Sequence, residues 1–485
     1  MKEDTSSLDR PEAYPTRRAA VAALGAAALA PALLADEKPI PRVAVITTCW
    51  YHNSHADVIA ARLIQSHSLD GKGVFPKLKL ASLYCEQHLQ TPGKTDKSDD
   101  FAKQYGFPVY KTVAEALTLG TDKLAVDGVL VIAEHGDYPD SPAGQTLYPK
   151  RRFFEEIYRV FDRSGKSVPV FNDKHLADTW LDAKWIYDEA AKRKAPLLAG
   201  SSLPHLWRYP AADVRRGAKL KEIVAVSYHR LDTYGIHALE YLQALAERRA
   251  GDETGVVAVE CHEGPAVWEA IKQGRLDRKL LEEALGRLKD RPIPAGKPLE
   301  EVVRRPALFL IRYRDGLRAS VVTLNDAVSE WTAAWRYADD STASTLFWTQ
   351  EARPFQHFGY LLDGIEQHIH TGRPPWPVER TLLTTGMLDA LLASRQQGGK
   401  RLATPQLTFS YQSDWNWREP PAPPPTAAPW RGPCATAPAI PAGPGTPPPP
   451  FRPAPSLRGC ALRARRRAHP RTAPPPAPAP PAAPP

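Results

Sequence analysis

Residues 168–204, VPVFNDKHLADTWLDAKWIYDEAAKRKAPLLAGSSLP, constrain the fold more than any other stretch. Val168–Phe171 is a short apolar run, as a buried strand requires. Thr179 followed three residues later by Asp182 has capping-box spacing. Trp180, Ala183, Tyr187 and Ala190 then fall on one helix face. Lys192, Arg193 and Lys194 occupy the last turn, where cations suit the helix dipole. Pro196–Gly200 reads as a second strand. Strand, helix, strand at this spacing forces a right-handed crossover and a parallel sheet. Ligands of such sheets sit beyond the carboxyl ends of the strands, where Asp173, Lys174 and His175 lie.

The rest of the first half repeats the alternation. Strands are expected at Val43–Thr48, Leu78–Tyr84, Phe107–Tyr110 and Val126–Ala133. Helices are expected at Ala56–Ile64, Asp99–Tyr105, Val113–Leu119 and Arg152–Phe161. The expected fold class is α/β, an N-terminal doubly wound parallel sheet over residues 42–205. Residues 206–412 read as a second α/β domain with a mostly antiparallel open sheet. Its strands are Ile223–Tyr228, Gly255–Cys261, Leu308–Tyr313, Ala319–Leu324 and Trp331–Tyr337. Its helices are Tyr234–Arg248, His357–His370 and Val378–Gln396.

The ends differ from the body. Thr16-Arg17-Arg18 precedes an alanine-rich apolar stretch ending at Ala35, which fits a twin-arginine export signal over residues 1–38 and a periplasmic or cell-envelope location. No other run approaches the length of a membrane span, so no stable span is expected after export. Residues 413–485 hold much of the chain's 50 prolines and read as a disordered tail. Part of the +9 net charge also lies in that tail, so it is no nucleic-acid footprint. Five scattered cysteines are an odd count without metal-type pairing.

FAKQYGFPVY (residues 101–110), TVAEAL, VDGVLVIA, the Asp173-Lys174-His175 strand end and YGIHALE (residues 234–240) occur in an order that resembles the Gfo/Idh/MocA family of glucose–fructose oxidoreductases and inositol dehydrogenases. MLDALLASRQQGGKRLATP (residues 387–405) resembles that family's last helix and closing strand. The resemblance implies a Rossmann domain that binds NAD or NADP and a second domain that walls the substrate. It implies catalytic roles for Lys174, at the place of the lysine in Glu-Lys-Pro, and for His237. Thr48, His52, Asn53, Ser54, Glu134, His135 and Asp173 would then border the dinucleotide, with a small polar substrate, a sugar or polyol, beside it.

The departures are specific. The loop after the first strand, Cys49-Trp50-Tyr51-His52-Asn53-Ser54-His55, contains no glycine, whereas the fingerprint Gly-x-Gly-x-x-Gly lets the backbone approach a pyrophosphate. Thr233 stands where the family has an Asp, with Asp232 one position away. A competing pattern gathers His52, His55 and Asp57, then Glu134, His135 and Asp137, then Asp173 and His175 at neighbouring strand ends, which suits a divalent metal. It has no compact ligand signature, and no metal ligand is assigned. Two functions are therefore expected: an exported oxidoreductase-like enzyme on a sugar or polyol, or a dinucleotide-free descendant that binds a carbohydrate-like ligand or a metal. Homo-oligomerisation is compatible with either.

Overall fold

The computed structural model describes residues 39–421, apart from 291, 292, 295 and 351. The export signal expected over 1–38 and the tail beyond 421 lie outside the described residues.

The first sheet is built from β1 (Arg42–Thr47), β2 (Lys79–Cys85), β3 (Val109–Tyr110), β4 (Gly128–Ile132), β5 (Val170–Asp173) and β6 (Leu197–Gly200). All its pairings are parallel, and its spatial order is β3-β2-β1-β4-β5-β6. That is the Rossmann order, reversing between β1 and β4. Within the run 126–133 the strand Gly128–Ile132 is central and buried at every position, as expected of an apolar strand covered on both faces.

Helices cover both faces. α1 (His55–Ile59), α2 (Arg62–Gln65) and α3 (Ser98–Tyr105) lie on one side with Val43, Val45, Leu130 and Phe171. α4 (Val113–Thr118), α5 (Lys150–Ser164) and α6 (Trp180–Lys192) lie on the other with Ala44, Ile46, Val129 and Val131. Odd and even residues of one strand thus serve opposite layers. The Thr179 hydroxyl accepts from the Asp182 N–H at 3.2 Å, so α6 starts where its cap stands. The single helix expected over 56–64 is instead two short ones, broken at Ala60 and Ala61.

The second sheet has eight strands: β7 (Trp207–Tyr209), β8 (Leu220–Ser227), β9 (Val256–Glu263), β10 (Arg305–Tyr313), β11 (Arg318–Asn325), β12 (Trp331–Tyr337), β13 (Thr342–Trp348) and β14 (Leu402–Ala403). Their order is β14-β9-β10-β11-β8-β12-β13-β7, and every pair except β8 with β11 is antiparallel. α7 (Gly235–Ala246) packs on one face. α8 (Pro265–Lys272), α9 (Arg278–Leu285) and α10 (Leu299–Val302) pack on the other. β7, β13, α8 and α9 were not expected from the sequence.

The two sheets are locked by the last helices. α11 (His357–Thr371) returns to the first sheet and buries Leu361, Leu362 and Ile365 beside α1. α12 (Val378–Gln396) packs against α6, α7, β6 and β9, and so forms the seam. At that seam Gly200 sits at φ 133°, and a Cβ there would lie 2.7 Å from Glu240 Oε2. Only glycine allows so close an approach.

The expected disordered tail needs one correction. Residues 413–421 are described, and they pack on the body. Trp415 lies under the Arg380 guanidinium, 4.7 Å from ring centre to cation, and beside His205. Trp417 donates from Nε1 to the Leu206 carbonyl at 2.7 Å and stacks on Arg208. Two half-buried tryptophans contribute roughly 1 kcal/mol each, about half the value of full burial. A chain ending at Gln412 is therefore expected to melt several degrees below one ending at Pro421 in calorimetry, and equal midpoints would show that this segment contributes nothing.

Candidate functional site

The loops that follow β1, β4 and β5 open into one cleft, whose far wall is α7, the loop before it and Trp331. Its volume is ≈ 540 Å³. Asn53, His55, His135, Lys174, Ser202, Tyr234, His237 and His357 line it, with Tyr51, Tyr148, Tyr228 and Phe358 as aromatic walls. The second sheet thus supplies one side and the parallel strand ends the other, where an α/β sheet places its ligands.

At the cleft floor lies a charged network that is nearly closed to water, with Lys174 touching the cleft. The Glu134 carboxylate is fully buried, 2.9 Å from Lys150 Nζ, 3.1 Å from Lys174 Nζ and 3.3 Å from His175 Nδ1. Burial alone would raise its pKa, but the two ammonium groups and His175 outweigh that and hold it well below the carboxylate range. Lys150 also donates to the Asp173 and His175 carbonyls at 2.9 and 2.7 Å. Burial would lower the Lys174 ammonium, yet Glu134 and Asp173 more than offset it and keep it charged. Lys174 stands at φ 59°, a conformation unusual for lysine, and its N–H donates to the Gly200 carbonyl at 3.1 Å.

Two imidazoles reach the cleft with one nitrogen already fixed. His237 Nδ1 lies 2.6 Å from the Ser201 hydroxyl, which also accepts the Leu203 N–H. His55 Nδ1 lies 2.5 Å from Asp173 Oδ2, a carboxylate–imidazole dyad. In each case Nε2 is the nitrogen that can reach a ligand. The His55 ring is 5.1 Å from that of His135 and 6.5 Å from that of His237. Burial, and then neighbouring cations, push His135 and His237 well below the ordinary histidine range, so both are neutral at pH 7.

Of the residues named from the sequence, Lys174, His237, Asn53, His55 and His135 border this cleft. The others do different work. Thr48 is buried and donates to the Glu134 carbonyl at 2.8 Å. Ser54 caps α1 by accepting the Asp57 N–H at 3.3 Å. Glu134 lies under the floor, and Asp173 holds His55. His52 sits on the rim with a half-exposed side chain, 3.8 Å from Asp57. The expectation that His52 and Glu134 border the cleft is thus corrected: one points to solvent, and the other is sealed in by two lysines. The expected polar set at the three strand ends likewise resolves into hydrogen-bonded pairs, His55 with Asp173 and His175 with Glu134, rather than into converging metal donors.

Sequence reasoning passed over Lys150, Ser201 and the pairing of His55 with Asp173. Lys150 did carry a signal. A lysine in the first turn of a helix opposes the dipole, and it sits there because Glu134 holds it.

The loop after β1 answers whether a dinucleotide fits. The N–H groups of Tyr51, Asn53, Ser54, His55, Asp57 and Val58 all have protein partners. The buried Asp57 carboxylate accepts the Asn53 N–H at 2.8 Å and faces Arg353 at 2.6 Å. An internal anion therefore already sits at the start of α1, which is only five residues long. At the end of β2, Glu86 stands where an acidic residue would hold a ribose, but it accepts from Tyr138 at 2.7 Å, from Tyr84 at 3.1 Å and from Arg152. In this conformation the loop offers no pyrophosphate cradle.

No family model matches the chain, and no curated protein matches it. Solved structures of similar layout include GenD2 from gentamicin A biosynthesis in complex with NAD, 15% identical over 75% of this chain and 96% of that one, with a TM-score of 0.49. Others are a myo-inositol dehydrogenase from Corynebacterium glutamicum (12%, 75% and 98%, 0.46) and an aldose–aldose oxidoreductase from Caulobacter crescentus complexed with glycerol (18%, 75% and 99%, 0.42). An inositol dehydrogenase, the kind of protein named by the sequence resemblance, is thus among them. The architecture itself rests on the strand order, and these values assign no residue.

The buried histidines make stability depend on pH. His205 and His357 are pushed down to about 3, chiefly by burial and then by nearby arginines. Their folded values lie below the unfolded one, so below about pH 6.5 the unfolded chain takes up protons that the folded chain refuses. Stability is present above that pH and is lost as pH falls toward 3. At pH 5 each histidine costs about 2 kcal/mol, from 1.36 kcal/mol per pH unit. Calorimetry should show a midpoint falling steadily from pH 7 to pH 5, less steeply in His357→Phe; a flat profile would contradict it.

Proposed function

We propose that the protein is oxidoreductase-like and binds a sugar or polyol in the cleft. The observation that carries this reading is that Lys174 and His237, placed from opposite sheets, border one cleft with aromatic walls. Aromatic faces and a few fixed polar groups suit a ligand with both C–H and O–H surfaces. Lys174 spends one donor on Glu134 and keeps others for a substrate oxygen. Neutral His237, with Nδ1 held by Ser201, is placed to move a proton at that oxygen through Nε2. The His55–Asp173 dyad offers a second proton acceptor on the opposite wall.

GenD2 is solved with NAD, and NAD or NADP is the nucleotide that the fold resemblance implies, as hydride carrier. The loop after β1 does not fit it in this conformation, and no step is drawn through it. That observation favours a second reading, a cleft that binds a carbohydrate-like ligand without redox chemistry. Export through the twin-arginine route, a cell-envelope location and homo-oligomerisation belong to the proposal as well. Among the described residues no helix is long and apolar enough to cross a membrane.

Two measurements separate the readings. Titration of the purified chain with NADH and NADPH, followed by fluorescence transfer from protein tryptophan, should saturate under the first reading and stay flat under the second. Polyol or sugar binding, read by thermal shift, should be lost in Lys174→Met under both. Lys174 is 4% exposed and paired with a sealed carboxylate, so this variant also loses stability, toward the roughly 3–5 kcal/mol of a broken buried pair and not the small cost of a surface lysine. His237→Ala should lower turnover by roughly 10²–10⁴-fold with little change in ligand affinity. A loss of folding in His237→Ala with unchanged turnover per folded molecule would make His237 a core residue only.

A further inference from the structure

Away from the cleft floor, the segment after β2 brings three different donors together. Cys85 ends the strand, His88 follows three residues later, and Asp96 returns after a short ribbon, Gln90–Thr91 paired with Lys94–Thr95. The ribbon is closed by the Asp96 N–H donating to the Leu89 carbonyl at 2.7 Å, so the backbone itself sets Asp96 beside His88. Cys85 Sγ is 3.9 Å from Asp96 Oδ1, and His88 Nδ1 is 3.0 Å from Asp96 Oδ2. All three ligand atoms lie within 4.8 Å of one another. Around a tetrahedral zinc, with bonds of about 2.0–2.3 Å, donor atoms stand roughly 3.3–3.8 Å apart, so small side-chain shifts suffice.

We propose that Cys85, His88 and Asp96 bind a zinc ion. A thiolate, an imidazole and a carboxylate form the donor mixture that zinc takes and that calcium or magnesium does not. The Ser98 hydroxyl donates to Asp96 Oδ2 at 2.6 Å and orients the carboxylate, as outer-shell partners of metal ligands do. The His88 side chain is 44% exposed, so solvent can complete the fourth position. On binding, the Cys85 thiol gives its proton to solvent and its sulfur bonds to zinc, with no electron transferred. Because the thiol must lose its proton to bind, zinc affinity rises with pH.

The site is a clamp with a reach into the cleft. Asp96 bridges to Tyr51, Lys97 donates its N–H to the Trp50 carbonyl at 2.8 Å, and Lys94 lines the cleft. Zinc at Cys85 would therefore fix the rim loop that carries Tyr51.

The test uses the full chain, stripped with a chelator and titrated with Zn²⁺ alone, then with Co²⁺. The expected results are one zinc per chain by elemental analysis, a raised thermal midpoint and a thiolate-to-cobalt charge-transfer band. Cys85→Ser should abolish the band, and His88→Ala should weaken zinc binding by at least about tenfold while leaving the metal-free midpoint unchanged. His88 lies on an exposed loop, so that variant remains decisive if Cys85→Ser fails to fold. Absence of the band in the parent chain, or a band and affinity unchanged in His88→Ala, would overturn the proposal, the latter by placing the metal on other cysteines.

Discussion

Glu134 is a carboxylate sealed from water at the end of the central strand, and the cleft floor is arranged around it. Two ammonium groups and one imidazole meet its oxygens. Removing an ion from water costs several kcal/mol even after relaxation, so such a cluster need not add net stability. What it adds is position. Lys150 comes from α5, and Lys174 and His175 come from the end of β5, so one carboxylate ties together two strands and a helix. Lys174 is held at positive φ by that pairing and by Gly200, and its ammonium is thereby aimed at the cleft rather than at solvent. The unfavourable conformation persists because the surroundings over-determine it.

The architecture was legible because both kinds of periodicity are strong. The apolar run Gly128–Ala133 had to be central, and the crossover at 168–200 had to be parallel. Strand pairing in the second sheet was less legible. β7 has three residues and β13 lies beside polar turns, so neither produces a clear alternation. The tail boundary was missed because Trp415 and Trp417 sit among prolines and charges, and their partners Arg380, Arg208 and Leu206 are distant in sequence.

The site was half legible for a related reason. Lys174 and His237 could be named because the family resemblance places them at the strand end and on the helix that carry such residues. The partners that decide their chemistry could not. Ser201 holds His237 across 36 residues, and Asp173 holds His55 across 118. A polar residue at a strand end can face the cleft or the floor, and sequence spacing does not distinguish the two. Glu134 and His135 show this: adjacent in sequence, one is sealed and the other lines the cleft.

The glycine-free loop after β1 bears on how this sheet can be used. In a Rossmann domain the loop amides are left for a pyrophosphate, and here those of Tyr51, Asn53, Ser54, Asp57 and Val58 are paired within the loop and α1. Asp57 supplies the negative charge that the helix start favours, and Arg353, from the segment after β13, balances it across 296 residues. Separating that carboxylate from its guanidinium would leave an unpaired buried charge, at a cost of about 3–5 kcal/mol. The Asp57–Arg353 pair therefore does two things at once. It neutralises the loop's own buried anion, and it fastens the segment leading into α11 onto the first sheet. The cleft over Lys174 and His237 shares both effects, because Asn53, bonded to Asp57 and to Arg353, lines it together with His357 and Phe358 of α11.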